Sequence, residues 1–207
     1  MSDAIQNYIL SLVPQDNAAL PELGRRYEGR TNIQDSIGPE VGKMLGFLVR
    51  TLHAQRVLEL GTCLGYSTVW LAQAVQETGG QLTSVELNHT LVEETRHSLQ
   101  NVGLLQVVDL IEGDAVAVTR DQTGPFDLIL QDSAKPLYPE LFERCVQLTR
   151  VGGIIAADDA LFKPMGIAAR FTEPIHRYNE MAAADPRLYT TILPIGDGLI
   201  LSLKLHD

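Results

Sequence analysis

The sequence has 207 residues, 45% of them hydrophobic, and a formal net charge of -10 at pH 7. This size and apolar content suit one substantial core, so we expect a single domain over residues 1–207. The acidic charge disfavours nucleic-acid phosphates and anionic lipid as partners, because such binders usually present a basic face. The sequence has no membrane-length apolar run, no basic leader and only two cysteines, Cys63 and Cys145, which we expect to be small buried residues. These features predict a cytoplasmic protein.

The first 52 residues are predicted to form helices that cover the rest of the domain. Apolar residues recur at helical spacing in one stripe before Pro14 and in another over residues 41–52. The stripes are Ile5, Tyr8, Ile9 and Leu12, and Val41, Leu45, Leu48 and Leu52. We therefore interpret residues 1–52 as a helical cover and residues 53–207 as the cofactor-binding and catalytic core.

Beyond residue 53, short apolar segments alternate with helical patterns. The predicted helices lie near residues 67–77, 90–102 and 139–150, and the predicted strands are RVLEL, QLTSVEL, VVDLIEG, FDLILQD and GGIIAAD. Near-continuous apolar strands joined by helices indicate a parallel sheet covered on both faces. The final segment, LYTTILPIGDGLILSLKL, predicts a hairpin that adds an antiparallel strand. The expected fold is α/β, with a doubly wound, mostly parallel seven-stranded sheet.

A glycine-rich turn joins the first strand to the first helix of this sheet, in VLELGTCLGYST at residues 57–68. Open α/β sheets bind ligands at the carboxyl ends of their strands, where this turn lies. Gly61 and Gly65 allow close approach of the backbone, and the amides of Tyr66 and Ser67 can donate to a carboxylate or phosphate. Glu86, which ends the second strand, can accept hydrogen bonds from ribose hydroxyls. The pattern indicates an adenosine ligand, although such a turn also occurs as a plain strand-to-helix connection.

Acidic residues also follow the next three strands. Asp114 follows the third strand, where it can meet an adenine amino group or cap the next helix. Asp132 ends the fourth strand, and Asp158 and Asp159 end the fifth. These last three carboxylates should meet at one sheet edge and repel one another unless a hard divalent cation lies among them. The pattern predicts a magnesium or calcium site, with helix caps and turn residues as the alternative.

Together these segments resemble the cation-dependent, S-adenosylmethionine-dependent O-methyltransferases, which include catechol and caffeoyl-CoA O-methyltransferases. The matching segments, in chain order, are IGPEVGKMLGFL, VLELGTCLGYST, SVELN, EGDA, FDLILQDSAKPLY, GGIIAADDALF, RYNEMAAADPR and LPIGDGLILSLK. The resemblance implies a Rossmann-like class I methyltransferase domain that methylates a hydroxyl of a small vicinal diol. It also implies a homodimer and a divalent cation, with Mg²⁺ first and Ca²⁺ or Mn²⁺ as alternatives.

The resemblance further implies roles for individual residues. The implied cofactor-binding residues are Ile37, Glu59, Gly61, Gly65, Tyr66, Ser67, Glu86, Leu87, Asp114, Ala115 and Asp132. Asp132, Asp158 and Asp159 would bind the cation, and Lys135 would be the general base beside Asp132. The family usually has asparagine where this chain has Asp159, which leaves the choice of cation open. Tyr138 is expected only to pack at the start of a helix.

Three other functions fit part of the pattern. A nicotinamide-dependent oxidoreductase would share the glycine turn and Glu86, but it would not need three acids at the sheet edge. A tRNA hydroxyuridine O-methyltransferase would need a basic surface, for which Arg25, Arg26 and Arg30 are the only compact cluster. Such a cluster is more typical of a solvated helix face. The third alternative is a cofactor-binding protein without turnover.

Overall fold

A computed structural model describes residues 3–13 and 17–207. The described residues form eight α-helices: α1 Asp3–Leu12, α2 Leu20–Arg25, α3 Gly38–Thr51, α4 Tyr66–Thr78, α5 His89–Asn101, α6 Ala115–Asp121, α7 Tyr138–Leu148 and α8 Ala169–Ala184. They form seven strands: β1 Arg56–Leu60, β2 Gln81–Glu86, β3 Val108–Glu112, β4 Phe126–Gln131, β5 Thr149–Ala157, β6 Leu188–Leu193 and β7 Leu199–Lys204. Short 3₁₀ turns occur at Leu105–Val107 and Lys135–Leu137. Among these residues, every helix is too short or too polar to cross a membrane.

The strands form one sheet in the order β3-β2-β1-β4-β5-β7-β6. The first five strands pair in parallel, while β7 runs antiparallel to both β5 and β6. This confirms the predicted mostly parallel seven-stranded sheet with a C-terminal hairpin. The chain reverses direction along the sheet between β1 and β4, and the carboxyl ends of the parallel strands open into the crevice where such folds bind ligands.

The sequence patterns placed some boundaries incorrectly. α7 ends at Leu148, not near residue 150, and β5 begins at Thr149, three residues before the predicted start. The reason is a bulge, because the pairing of β4 with β5 shifts between Phe126 and Leu128 and Gly152 has a φ of 76°. The patterns also missed α6, which is short, and α8, which carries Pro174 inside the helix.

Two hydrophobic cores lie on the two faces of the sheet. One includes apolar residues of α2, α3, α4 and α5, and the other includes residues of α7 and α8. The predicted stripe of α3 contributes to the first core, because Val41, Leu45 and Leu48 are buried there. The predicted stripe of α1 does not, since Ile5, Tyr8 and Leu12 are exposed. The prediction that α1 covers the domain is therefore wrong for these residues, whereas α3 does cover the sheet.

The contact between α3 and α4 depends on the absence of a side chain at Gly42. A Cβ atom built at Gly42 would lie 2.3 Å from Nε1 of Trp70, whose indole is buried. The two helices can approach this closely only because α3 presents bare backbone to the ring.

We predict that Gly42→Ala lowers the free energy of unfolding by about 1 to 3 kcal/mol, because the added methyl group overpacks the indole. Urea denaturation followed by far-UV circular dichroism measures this change. Gly24→Ala is the control, since a Cβ there would meet Tyr66 Cε2 at 3.5 Å, an ordinary contact, within α2. Equal stabilities for the two variants would contradict the proposed helix contact.

Candidate active site

A cavity of about 340 Å³ lies at the carboxyl ends of β1, β2, β3 and β4. Its floor comes from the strand ends and the loops that follow them. Its opposite wall comes from the segment between α2 and α3. The lining residues are Tyr27, Asn32, Ile33, Gln34, Asp35, Ser36, Ile37, Gly61, Thr62, Cys63, Tyr66, Ser67, Val85, Glu86, Leu87, Asn88, Leu91, Gly113, Asp114, Ala115, Asp132, Ser133, Ala134 and Leu137. We call this the main cavity.

Most of the residues that the resemblance assigned to cofactor binding line the main cavity. Glu59 and Gly65 do not line the cavity. Glu59 lies in β1, and Gly65 is part of the β1–α4 loop. The residues that do line the main cavity are Ile37, Gly61, Tyr66, Ser67, Glu86, Leu87, Asp114, Ala115 and Asp132. Five of the lining residues that the sequence did not predict, residues 32–36, lie in a segment whose irregular backbone carries no periodic signal.

Gly61 and Gly65 lie in the β1–α4 loop, and a different contact requires glycine at each position. Gly61 has a φ of 99°, and a Cβ atom there would lie 2.2 Å from the carbonyl oxygen of Asp132. Gly65 has a φ of 85° and precedes α4, where a Cβ would lie 2.9 Å from Cγ2 of Thr95. Both positions favour glycine, and together they bring the loop against the end of β4 and against α5.

The carboxylate of Glu86 is held by two backbone amides. Its Oε2 accepts a hydrogen bond from Cys63 N at 2.9 Å, and its Oε1 accepts one from Asn88 N at 2.8 Å. These bonds fix the carboxylate at the cavity wall and leave lone pairs for a ligand. Cys63 itself has a φ of 51° and is half-buried at the cavity, so the prediction of a buried residue is wrong here, whereas Cys145 is buried.

Glu59 supports the loop from below. Its side chain is fully buried, and its Oε2 accepts hydrogen bonds from Thr68 Oγ1 at 2.7 Å and Ser84 Oγ at 2.5 Å. Burial raises the pKa of Glu59 to about 7, although hydroxyl groups of Ser67, Ser84 and Thr68 lower it. Burial therefore outweighs hydrogen bonding, and the carboxyl group titrates near neutral pH.

Asp114 combines the two roles that the sequence left open. Its Oδ1 accepts a hydrogen bond from Ala117 N at 2.9 Å and so caps α6. The residue also lines the main cavity, next to Ala115. Capping occupies one carboxylate oxygen, and the other remains available to a ligand.

Asp132, Asp158 and Asp159 converge as predicted. Carboxylate oxygens of the three residues all lie within 4.8 Å of one another. Asp158 and Asp159 are buried, and the three residues line a smaller cavity of about 160 Å³ that shares Asp132 and residues 34–37 with the main cavity. We call it the acidic cavity. Glu40 and Asp197, which the sequence analysis did not assign, also line it.

The electrostatics of this cluster fit a hard cation. Burial, together with the charges of Asp132 and Asp159, raises the pKa of Asp158 well above its ordinary value. Burial also raises the pKa of Asp159 to about 6, against the opposing effect of Lys135. Asp158 Oδ1 is buried without a hydrogen-bond partner among the described residues. Carboxylate oxygens are the ligands that Mg²⁺ and Ca²⁺ prefer, and these three residues can supply part of the coordination shell of such an ion.

Asp159 adopts a left-handed backbone conformation, with a φ of 67°. Asparagine and aspartate tolerate this conformation better than other non-glycine residues. The backbone thus explains why either residue fits at this position, and the difference between them lies in charge.

Lys135 is buried in the same cluster, with its side chain 1% exposed. Its Nζ donates to Asp132 Oδ1 at 3.0 Å and to Tyr138 Oη at 3.1 Å, and it contacts Asp159 Oδ2. Burial disfavours the ammonium, but Tyr138, Asp132 and Asp159 outweigh this effect, so the pKa of Lys135 lies well above its ordinary value. Lys135 is therefore a buried, charge-paired member of the cluster, not a solvated surface residue.

Tyr138 does more than pack at the start of α7. Its ring is buried against Tyr178, at a centroid distance of 5.6 Å, and its hydroxyl group accepts the bond from Lys135. The expectation of a packing role alone is wrong for this residue. The sequence could have indicated this contact, because Lys135 and Tyr138 are three residues apart at the start of a helix and so face the same side.

The arginine cluster near the N-terminus is engaged in ion pairs. Arg25 pairs with Glu22 three residues earlier, whereas Arg26 and Arg30 both pair with Glu94 of α5. The cluster is thus not a free basic surface, which counts against its use for tRNA.

Comparison with known proteins identifies the family of the chain and agrees with its fold. A model of the O-methyltransferase family matches residues 11–205, so the chain belongs to this family. It is 29% identical to the catechol O-methyltransferase of Niastella koreensis, over 97% of this chain and 96% of that protein. It is also 29% identical to the caffeoyl-CoA O-methyltransferase of Eucalyptus gunnii, over 99% of this chain and 89% of that protein.

Solved structures give the same result. The O-methyltransferase TomG from Streptomyces achromogenes, in complex with SAM, superposes with a TM-score of 0.87 at 26% identity and full coverage (100%) of both chains. The O-methyltransferase from Bacillus cereus, in complex with SAH, superposes with a TM-score of 0.83 at 25% identity over 97% of each chain. The protein is therefore an S-adenosylmethionine-dependent O-methyltransferase, not a nicotinamide-dependent oxidoreductase.

We predict that the Glu59 carboxyl group makes the folded state less stable as pH rises from 4.5 to 7. In this window the unfolded chain releases a proton that the folded protein retains, so the free energy of unfolding falls by about 1 kcal/mol per pH unit from this group. Glu59→Gln removes this dependence, and urea titrations across the window measure it. The exposed Glu28→Gln is the control, and parallel pH profiles for Glu59→Gln and wild type would contradict the assignment.

Proposed function

We propose that this enzyme transfers the methyl group of S-adenosylmethionine to one hydroxyl group of a small vicinal-diol phenol, and that the reaction depends on a divalent cation. The observation that carries the proposal is the convergence of Asp132, Asp158 and Asp159 within 4.8 Å, at a wall shared with the main cavity. This arrangement supports a chelated acceptor held next to the bound cofactor.

The main cavity is the proposed cofactor site. Glu86, whose carboxylate is held by two amides, binds the ribose hydroxyls, and Asp114 with Ala115 binds the adenine. The backbone at Tyr66 and Ser67, which opens α4, faces the methionine carboxylate, where the helix N-terminus favours an anion. Ile37 and Leu87 supply apolar walls.

The acidic cavity is the proposed cation site, with Mg²⁺ as the preferred ion and Ca²⁺ or Mn²⁺ as alternatives. When bound, a dication would lower the pKa of the acceptor hydroxyl groups near it. Asp132, Asp158 and Asp159 are its proposed ligands, and Asp158 Oδ1 has no other partner among the described residues. The extra charge of Asp159, relative to asparagine, strengthens cation binding.

Lys135 is the proposed general base. In the displacement, the acceptor oxygen forms a bond to the methyl carbon, the sulfur–carbon bond breaks, and the hydroxyl proton leaves. Lys135 Nζ lies 3.0 Å from Asp132 Oδ1, and the carboxylates around it keep it an ammonium. A cation bound by Asp132, Asp158 and Asp159 would neutralise these carboxylates and disfavour the ammonium, so that the neutral amine could take the hydroxyl proton. Tyr138 holds the amine in place through its hydroxyl group. Alignment of the two reactants supplies the rest of the rate enhancement.

The acceptor is proposed to be a small molecule, not tRNA, because Arg25, Arg26 and Arg30 are all paired with glutamates. A cytoplasmic homodimer also remains our proposal. The exposed apolar stripe of α1, which includes Tyr8 and Leu12, supports a contact between two copies.

The cation requirement can be tested with S-adenosylmethionine and 4-methylcatechol, with mass spectrometry to detect the monomethyl product. We expect transfer with Mg²⁺ and none with a chelator. Asp158→Ala should lower kcat/KM by at least about 100-fold, because it removes a buried ligand. Asp197→Asn, which changes another acid of the same cavity, is the control and should retain Mg²⁺-dependent transfer. Transfer that survives the chelator would contradict the proposal.

The role of Lys135 is tested by Lys135→Met. We expect kcat to fall by about 100-fold or more, because the proton acceptor is lost, while the Kd for S-adenosylhomocysteine stays within about twofold. Lys204→Met is the matched control. It also removes a buried ammonium, but Lys204 bonds to Thr149 O, away from both cavities. An unchanged kcat for Lys135→Met would remove Lys135 from the mechanism.

A further inference from the structure

One wall of the main cavity comes from outside the sheet. Residues 26–37 link α2 to α3, and residues 30–37 have no helix or strand. We call residues 26–37 the strap. Tyr27 and residues 32–37 of the strap line the main cavity, opposite the strand ends. The position of an irregular segment is set by its individual side-chain contacts, because it has no regular backbone bonding of its own.

The Glu94 carboxylate, together with the Ser98 hydroxyl group, fastens the strap to α5. Arg26 Nη2 donates to Glu94 Oε2 at 2.7 Å, and Arg30 Nη1 donates to the same oxygen at 3.0 Å. Arg30 Nη2 also donates to Glu94 Oε1 at 3.2 Å, and Arg26 Nη1 donates to Ser98 Oγ at 2.9 Å. The three charged side chains are between 26% and 33% exposed. A half-buried network with bidentate geometry is stronger than an isolated surface pair.

The same turn of α5 also holds the β1–α4 loop, which forms another wall of the main cavity. Thr95 Oγ1 donates to Cys63 O at 2.9 Å, and the Thr95 methyl group fills the space beside Gly65. The strap in turn contacts this loop directly, because Leu64 N donates to Tyr27 Oη at 3.2 Å. Adjacent residues of α5 therefore set the distance between two walls of the cavity.

We propose that Glu94 is a positioning residue for the cofactor, acting through Arg26 and Arg30 without touching the ligand. The inference rests on the proposed assignment of the main cavity to S-adenosylmethionine. When Glu94 keeps its charge, the strap is already in place and the cofactor binds to a preformed wall. When the charge is removed, two guanidinium groups lose their partner, and the cofactor must order the strap as it binds, at a cost in affinity.

The test is Glu94→Gln, with the Kd for S-adenosylhomocysteine measured by isothermal titration calorimetry. We expect the Kd to rise about tenfold, because a preorganised wall is lost. The kcat at saturating S-adenosylmethionine should stay within about twofold, since Lys135 and the three aspartates are untouched. Glu77→Gln is the matched control. It breaks the pair with Arg50, at 2.6 and 2.7 Å, far from either cavity, and should leave the Kd unchanged.

A second variant tests the proposed route. Arg30→Gln should also raise the Kd, and the double variant with Glu94→Gln should raise it by less than the product of the two single fold-changes, because both changes disrupt one network. An unchanged Kd for Glu94→Gln, or an equal rise for Glu77→Gln, would overturn the proposal. Failure of the wild-type enzyme to bind S-adenosylhomocysteine would instead refute the cofactor assignment itself, and this inference with it.

Discussion

The strand order of the sheet forces three carboxylates together, and the candidate active site depends on this placement. Parallel strands β4 and β5 are neighbours, so Asp132 and Asp158 must emerge at the same edge, and Asp159 follows in a left-handed turn. Burial of like charges is unfavourable, and Lys135 compensates for only part of it. The protein therefore retains a local electrostatic imbalance where a cation and an acceptor are proposed to bind. Such an imbalance is typical of catalytic sites, which give up some stability for chemistry.

The parts of the fold that follow from periodicity could be predicted from the sequence. Buried parallel strands read as continuous apolar runs, and turn glycines mark where they end. The convergence of the acidic residues followed from topology alone, because strand order determines which strand ends are neighbours. The resemblance supplied the proposed base, Lys135, and the family assignment agrees with that resemblance.

The parts that could not be predicted depend on tertiary packing. The wall formed by residues 32–37 has no periodicity, and the residue that we propose positions it, Glu94, lies more than fifty residues further along the chain. The exposure of the α1 stripe could not be predicted either, since helical spacing shows which face of a helix is apolar but not what covers that face. Glu59 looked like a ligand contact because it lies in the glycine motif, yet it is buried beneath the loop.

The close approach of Gly61 to the backbone of Asp132 has a consequence for how such an enzyme can diversify. The turn after β1 and the end of β4 touch without an intervening side chain, so a shift in one displaces the other. The proposed cofactor site and the proposed cation site are thus mechanically joined at one point. New acceptor preferences should arise by change in segments outside this junction, such as the turn of the C-terminal hairpin, where Gly196 and Asp197 line the acidic cavity.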